Sequence, residues 1–398
     1  MIITHHLSEP CPHCGQSSNY GNVSVAQSIL QRGCSACGNW ERIPLPRLKK
    51  KIIYLDQFFL SHAFREQQKD FVEAAKRLRS LANKQLVVCP WSTIHEFETY
   101  LWRHSSQSNL LEFIKQSARG RKYLNSHHIK SMQIKRAFRS FVNNRAIQMI
   151  DSLDAFHSDI HEWDDYFWID VGYFVNDTER IRIGKEQAVS SLVDLFNEWE
   201  TSSNSYEQDF VEESNDYARS LIQLHIQSVQ EFMQGSVLKY LNTPADVDLV
   251  EALMRQDSDS LNFEERLKRL ESFLYSDNFK QVPYVDISCR LFAVLRKRVR
   301  EGQFANREKA KRNLSGLFYD IDAISIYGPY SDAIFIDRSM HQWLVQEEAC
   351  IIENYSFKIY SAETWSDFHS YLDEIESNCP IDVRKMLPIV YPGIEERT

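Results

Sequence analysis

The chain has 398 residues, of which 43% are hydrophobic and 25% charged, so it carries enough apolar material for a large core and is not globally disordered. Only 12 Gly and 11 Pro stand against 23 Phe and 18 Tyr, which argues against collagen-like, low-complexity and many-turned all-β architectures and favours helix-rich α/β. No apolar run reaches the roughly 18 residues that span a bilayer, and the opening Met1-Ile-Ile-Thr-His-His6 lacks the features of a signal peptide, so a cytoplasmic protein with no membrane association is expected. The net charge of -9 disfavours a uniformly basic nucleic-acid binder, and length alone suggests about two to three domains.

The N-terminus contains Cys11-Pro-His-Cys14 and, 19 residues further on, Cys34-Ser-Ala-Cys37. Two such knuckles complete a closed tetrahedral thiolate shell, so Cys11, Cys14, Cys34 and Cys37 are predicted to hold one structural Zn²⁺ in a zinc ribbon over residues 1–46. A redox role is weaker, because no strand-then-helix pattern of the thioredoxin type surrounds either pair. His5, His6 and His13 are bystanders in this reading, and Cys89, Cys289, Cys350 and Cys379 are small hydrophobes of a reducing compartment.

After the ribbon, which should end near Trp40, Ile43-Pro-Leu-Pro46 and Arg47-Leu-Lys-Lys-Lys51 form a stiff, polar boundary. Ile52-Ile-Tyr-Leu55 then reads as a buried parallel strand, and Phe71, Ala74, Ala75, Leu78 and Leu81 recur at helical spacing. Leu86-Val-Val-Cys89 is a second strand, and Thr93 and Glu96 have the spacing of a capping box for the next helix. This β-α-β-α order opens a doubly wound sheet. From about Leu101 to Leu314 the pattern is amphipathic helices, and strands return at Ala333-Ile-Phe-Ile336 and Phe357-Lys-Ile-Tyr360, before a last helix from about Ala362 to Ile375.

Ligands of open parallel sheets lie off the carboxyl ends of the strands. Asp56 follows the first strand, Glu96 lies in the helix after the second, Asp337 follows Ala333–Ile336, Asp332 precedes that strand, and Asp320 and Asp322 stand in the helix before it. Carboxylates gathered at one edge repel unless a cation holds them, and oxygen donors suit Mg²⁺ or Mn²⁺. Each has a plainer role as a helix cap, though the joint placement favours a site. Asp320 and Asp322 stand about 200° apart around a helix, so only one can point inward, and Glu98 faces away from Glu96 for the same reason.

The segments Ile52–Asp56, Cys89–Glu96 and Tyr319–Asp337 resemble the acidic motifs of PIN-domain nucleases, over about residues 51–115 and 305–375. The resemblance implies an α/β fold, a PIN-like doubly wound parallel sheet, over residues 47–398, interrupted by a large all-helical insertion at about 116–304 that exceeds anything compact members of the family carry. It implies a metal-dependent endonuclease, with a ribonuclease favoured, in which Asp56, Glu96, Asp320, Asp332 and Asp337 are catalytic and one or two Mg²⁺ or Mn²⁺ ions bind, the principal one on Asp56 and Asp337. RNA is favoured over DNA as partner, toxin-like or defence roles suit such a nuclease, and an inhibitory or regulatory protein partner is compatible with it. The competing expectation is a catalytically inactive nucleic-acid- or protein-binding module that uses the ribbon and basic helices.

Charge is segregated: ten basic residues and one acid lie between Arg103 and Arg145, and nine basics against two acids between Arg290 and Arg312, while 151–165 has six acids and no Lys or Arg. Arg119, Arg121, Lys122, Arg136 and Arg139 are the expected phosphate contacts, against the alternative of solvated helix faces. Asp154, His157 and His161 share an expected helix face that is read as exposed and polar rather than metal-binding, and Arg121 with His127 fits only a loose pattern of a helical RNase class.

Overall fold

A computed structural model describes residues 6–26, 28–102, 104–147, 151–163, 178–235, 245–256 and 261–392, which leaves Arg103, Asp164 and Asp165 outside. The chain is mixed α/β: a small N-terminal antiparallel sheet that carries the four cysteines, a four-stranded parallel sheet, and many helices. Among the described residues no helix is long and apolar enough to cross a membrane.

The antiparallel sheet has the order β1 (His6–Glu9), β2 (Tyr20–Ala26), β3 (Ile29–Cys34) and β4 (Trp40–Pro44). The fourth strand begins at Trp40 and stays paired with β3 to Pro44, so the small sheet continues past the expected end. Its apolar side does not stand alone. Val25, Leu30, Leu45 and Leu48 pack against Val383, Leu387 and Val390 of the helix Ile381–Val390, and the Asn22 side-chain amide donates to the carbonyls of Ile389 (2.6 Å) and Val390 (3.1 Å).

The parallel sheet has β5 (Lys51–Leu55) and β7 (Ala333–Phe335) at its centre, with β6 (Val87–Val88) outside β5 and β8 (Lys358–Tyr360) outside β7. Ile53, Tyr54 and Leu55 face Ala333, Ile334 and Phe335 in register. Strands this short hold few ladder bonds, so the two covered faces carry the sheet, each fully buried aliphatic or aromatic side chain contributing about 1.5–3 kcal/mol. The period of two decides which face each side chain joins. Ile53 and Leu55 join Phe71, Leu78 and Phe368 from the helices Lys69–Asn83 and Trp365–Ser377, while Ile52 and Tyr54 join Ile324 and Tyr327 from the helix Leu317–Tyr327.

The helical stretch between β6 and β7 is not an appendage. Phe156, Val189, Phe196, Leu291 and Leu295 share the core of Ile52 and Tyr54, and only a second cluster, including Phe138, Leu221, Leu253, Phe273 and Cys289, is internal to the helices. Chain order reverses between β5 and β7, since β5 leads outward to β6 and the chain returns through the helices to β7 on the other side. Such a reversal is where open parallel sheets form a crevice, at the carboxyl ends of the two central strands.

Candidate active site

Asp56 and Asp337 stand on the two sides of this crevice, each directly beyond a central strand. Asp56 is 7% exposed, its backbone N–H donates to the Phe335 carbonyl (2.9 Å), and one carboxylate oxygen accepts the Phe58 N–H (3.2 Å) to cap the helix Gln57–Arg65. Asp337 caps the helix Arg338–Leu344 in the same way, accepting the Met340 N–H at 3.0 Å. The capping role weighed from sequence for Asp56 is therefore real, Asp337 has the same role, and in both it fixes the orientation without exhausting a carboxylate's acceptor capacity.

The helix Thr93–Tyr100 adds a third carboxylate, from Glu98 rather than Glu96. Its capping box is formed by Ser92 and His95, not by Thr93 and Glu96. Glu96 turns away and meets Lys122, whose ammonium lies 3.1 Å from both of its oxygens and 4.2 Å from the centre of the Trp91 ring. Two residues further, about 200° around the helix, Glu98 faces the crevice together with Ile94. Asp320 is the fourth. Its neighbour in sequence, Asp322, points to the insertion, where it accepts the Tyr284 hydroxyl (3.4 Å) and feels the Lys130 charge, as the angular argument required of one of the two.

Electrostatics bind Asp56, Glu98, Asp320 and Asp337 into one system. Burial first, and then the Asp337 charge, push the Asp56 carboxyl up to about 7. Burial and Asp56 push Glu98 up to about 8 against the attraction of Lys185. Burial together with Asp56, Glu98 and Asp337 holds Asp320 well above the carboxylate range, again opposed by Lys185. Lys185, from the helix Thr178–Asp194, lies 5.1 Å from the centre of the Tyr319 ring and is a cation that faces this set.

Helix Thr93–Tyr100 is aimed by a residue that sequence reasoning passed over. His95 is fully buried, its Nδ1 accepts the Ser92 N–H (2.9 Å), and its Nε2–H donates to the carbonyl of Leu55 (2.8 Å), the residue before Asp56. Burial holds this imidazole down at about 4, so it stays neutral and keeps both bonds across the physiological range. Gln57 Nε2 donates to Thr99 Oγ1 (3.0 Å) as a second tie.

Asp332 is placed at the opposite end of the sheet. It pairs with Lys51 (2.6 Å), accepts the Ile52 N–H (2.8 Å) and so pins the start of β5. The expected phosphate contacts are also largely engaged within the protein. Arg119 donates to the Ala82 carbonyl (2.7 Å), Arg121 to Ser158 Oγ (3.3 Å), and Arg136 grips Asp154, while Arg139 is exposed. In the second basic run Arg290 pairs with Asp286 of its own helix, while Arg296 with Glu212 and Glu213, Lys297 with Glu348, Arg300 with Asp209 and Arg307 with Glu200 tie different elements together. Residues 152–155 form a single 3-10 turn, so Asp154 shares no helix face with His157 and His161, and His161 Nδ1 accepts the Lys50 N–H (3.2 Å).

The four cysteines form the metal-ready cluster. All four sulfurs lie within 4.8 Å of one another, with Cys11–Cys37 at 3.7 Å and Cys14–Cys34 at 3.8 Å. A tetrahedron with Zn–S bonds of about 2.3 Å has edges of about 3.8 Å, so the set fits a structural Zn²⁺. Backbone N–H groups of His13 and Ala36 point at Cys11 and Cys34 (3.4 Å each), and Gly15 and Gly38, at φ +71° and +68°, close the two knuckles in the left-handed region.

Among the described residues no other group of three or more ligand atoms is this close, so the four carboxylates are a looser set than a preformed cage. Mg²⁺ does not need a preformed cage, since it keeps several waters and takes one or two carboxylates alongside substrate phosphates. Comparison of the chain with protein-family profiles, with curated proteins and with solved structures found no match. Fold and site define an α/β protein with a zinc-ribbon-like cluster of four cysteines and an acidic crevice at the switch point of its parallel sheet.

Proposed function

We propose that the chain is a Mg²⁺- or Mn²⁺-dependent nuclease of the PIN type that hydrolyses phosphodiester bonds, with RNA favoured over DNA. The observation that carries this reading is the placement of Asp56 and Asp337 beyond the carboxyl ends of two adjacent parallel strands, where burial and these two charges also raise Glu98 and Asp320. Like charges brought together from four distant segments create demand for a divalent cation, and the donors are all hard oxygens. Asp56 and Asp337 would hold it, being the two whose helices fix them at the strand ends. A bound divalent ion supplies a more acidic water and neutralises charge on the leaving oxygen.

The remaining steps belong to the chain's own side chains. Glu98 is raised by burial and by Asp56, and once a bound cation offsets the neighbouring charges its carboxylate can accept a proton from an attacking water. Asp320 orients that water by hydrogen bonding, and Lys185 offsets part of the negative charge that a polyanionic substrate meets on approach. His95 is a positioning residue, because it ties the Glu98 helix to the strand that presents Asp56.

The test is cleavage of single-stranded and structured RNA and DNA by the full chain with Mg²⁺ or Mn²⁺. Activity that requires the ion and vanishes in excess EDTA is expected. Binding of RNA without cleavage under every ion would instead establish the binding-module reading.

A further inference from the structure

The small antiparallel sheet covers one of its faces and leaves the other open. Leu30 and its cross-strand partner Ile43 turn towards Val383, Leu387 and Val390 of the C-terminal helix. Strand alternation sends Gly33, Gln31 and Ile29 of β3, with their partners Trp40, Arg42 and Pro44 of β4, to the opposite face. Trp40 is 59% exposed there. A Cβ added at Gly33 would stand 3.0, 3.2 and 3.3 Å from Cε3, Cδ2 and Cζ3 of the Trp40 ring. Three nearly equal distances put Gly33 under the plane of the six-membered ring, so the indole lies on the backbone of β3 and its other face is open to solvent. The second cysteine knuckle holds this arrangement: Cys34 directly follows Gly33, its N–H donates to the Asn39 carbonyl (2.9 Å), and Trp40 comes next.

The charge around the ring is one-sided. Arg42 is exposed and makes no ion pair among the described residues. The acids of the sheet lie on its other face, where Glu41 accepts the Tyr20 hydroxyl (2.7 Å) and Glu9 pairs with Arg32. Beyond Arg42 the chain runs to Leu55 without an acid, and Arg47 and Lys49 are exposed within that stretch. Arg42 and Gln31 also separate the ring from Ile29 and Pro44, which breaks up the continuous apolar patch that suits a folded protein partner.

We propose that this face of the ribbon binds single-stranded nucleic acid, with one unpaired base stacked on Trp40 and Arg42 on a neighbouring phosphate. An open aromatic face accepts any base, and a cation beside it tracks the backbone. The proposal gives the ribbon a part in holding the substrate and rests on the nuclease reading only for RNA as the polymer.

The experiment measures fluorescence anisotropy of labelled single-stranded RNA with the full, zinc-loaded chain and no added Mg²⁺ or Mn²⁺, after circular dichroism and zinc content have verified each variant. Trp40→Ala should weaken binding about tenfold and leave the salt slope unchanged, because stacking releases no counterions. Trp40→Phe, which keeps a ring, should recover most of the loss. Arg42→Gln should weaken binding and reduce the salt slope by about 0.7. Duplex RNA of the same sequence and an abasic strand of the same length should not distinguish Trp40→Ala from wild type. Unchanged single-strand affinity in zinc-loaded Trp40→Ala would overturn the proposal and leave the face to a protein partner, and an equal loss on the abasic strand would overturn the stacking. Where that affinity is unchanged and the wild type cleaves, the surface alone fails. Loss of single-strand affinity in Trp40→Ala, with a wild type that cleaves nothing under any ion, would keep the surface and overturn the nuclease reading.

Discussion

Replacing Asp56 by Asn is expected to abolish cleavage, by on the order of 10³-fold or more, and at the same time to raise the melting temperature of the metal-free protein at neutral pH. Both effects have one cause. The Asp56 carboxyl is raised to about 7 in the folded chain from its ordinary value of 3.8, first by burial and then by Asp337. A raised acid costs nothing below its unfolded value, where both states are protonated, and destabilises the fold progressively as pH rises towards the folded value. With the zinc retained and no Mg²⁺ or Mn²⁺ added, wild-type stability should therefore fall between about pH 4 and 7, with Glu98 extending the decline to about 8. At about 1.4 kcal/mol for each tenfold change in acidity, shifts of this size are easily seen in a melting curve. Mg²⁺ should restore the loss, more effectively at higher pH because the ion displaces protons. Asp56→Asn removes one of these charges but not the shape, so its metal-free stability should fall less steeply over the same range, the remaining decline coming from buried Glu98 and Asp320, and should respond less to Mg²⁺. Melting curves at several pH values, with and without Mg²⁺, check this; a wild type whose stability rises from pH 5 to 8 with the zinc retained and no Mg²⁺ or Mn²⁺ added would contradict the electrostatic account.

The second large effect concerns the ribbon. Cys14→Ser should release the zinc, from about one per chain to none, because three thiolates and a hydroxyl are a poor tetrahedral shell and structural sites of this kind carry about 10 kcal/mol or more of folding free energy. The damage should not stop at Pro44. Val25 and Leu30 pack against Val383, Leu387 and Val390, and Asn22 caps the last carbonyls of that helix, so Ile381–Val390 should loosen with the ribbon. Hydrogen exchange resolved by peptide should show lost protection in residues 6–44 and 381–390, while β5 and β7 keep theirs. A variant that retains stoichiometric zinc, or keeps full protection in the C-terminal helix, would refute this coupling.

What the sequence made legible was local. Ile52–Leu55 reads as a strand because it is wholly apolar, and Asp56 and the four cysteines follow from what stands next to them. What it hid depended on angle or on distance along the chain. Glu96 is favoured in the sequence by its place after the second strand and by the motif it resembles, which sets Glu98 on the far side of the helix; starting the helix after Ser92 leaves Glu98 four residues beyond Ile94 and three before Leu101, a carboxylate on an apolar stripe. Asp332 precedes its strand, and in a parallel sheet that puts it at the end away from Asp337. The basic runs looked available because their partners lie far off in sequence, as Arg296 with Glu212 and Glu213 shows. Lys185 carried no local signal, since only packing of its helix beside Tyr319 brings it to the acids.

The choice between the two glutamates is the most direct test of the active-site assignment, since they share one helix and differ only in which way they face. Turnover of a cleaved RNA with saturating Mg²⁺ or Mn²⁺ should fall at least about 100-fold in Glu98→Gln and stay within a few-fold of wild type in Glu96→Gln, whose partner is Lys122. Full activity in Glu98→Gln, or its loss only in Glu96→Gln, would contradict the assignment of Asp56, Glu98, Asp320 and Asp337 as the active site.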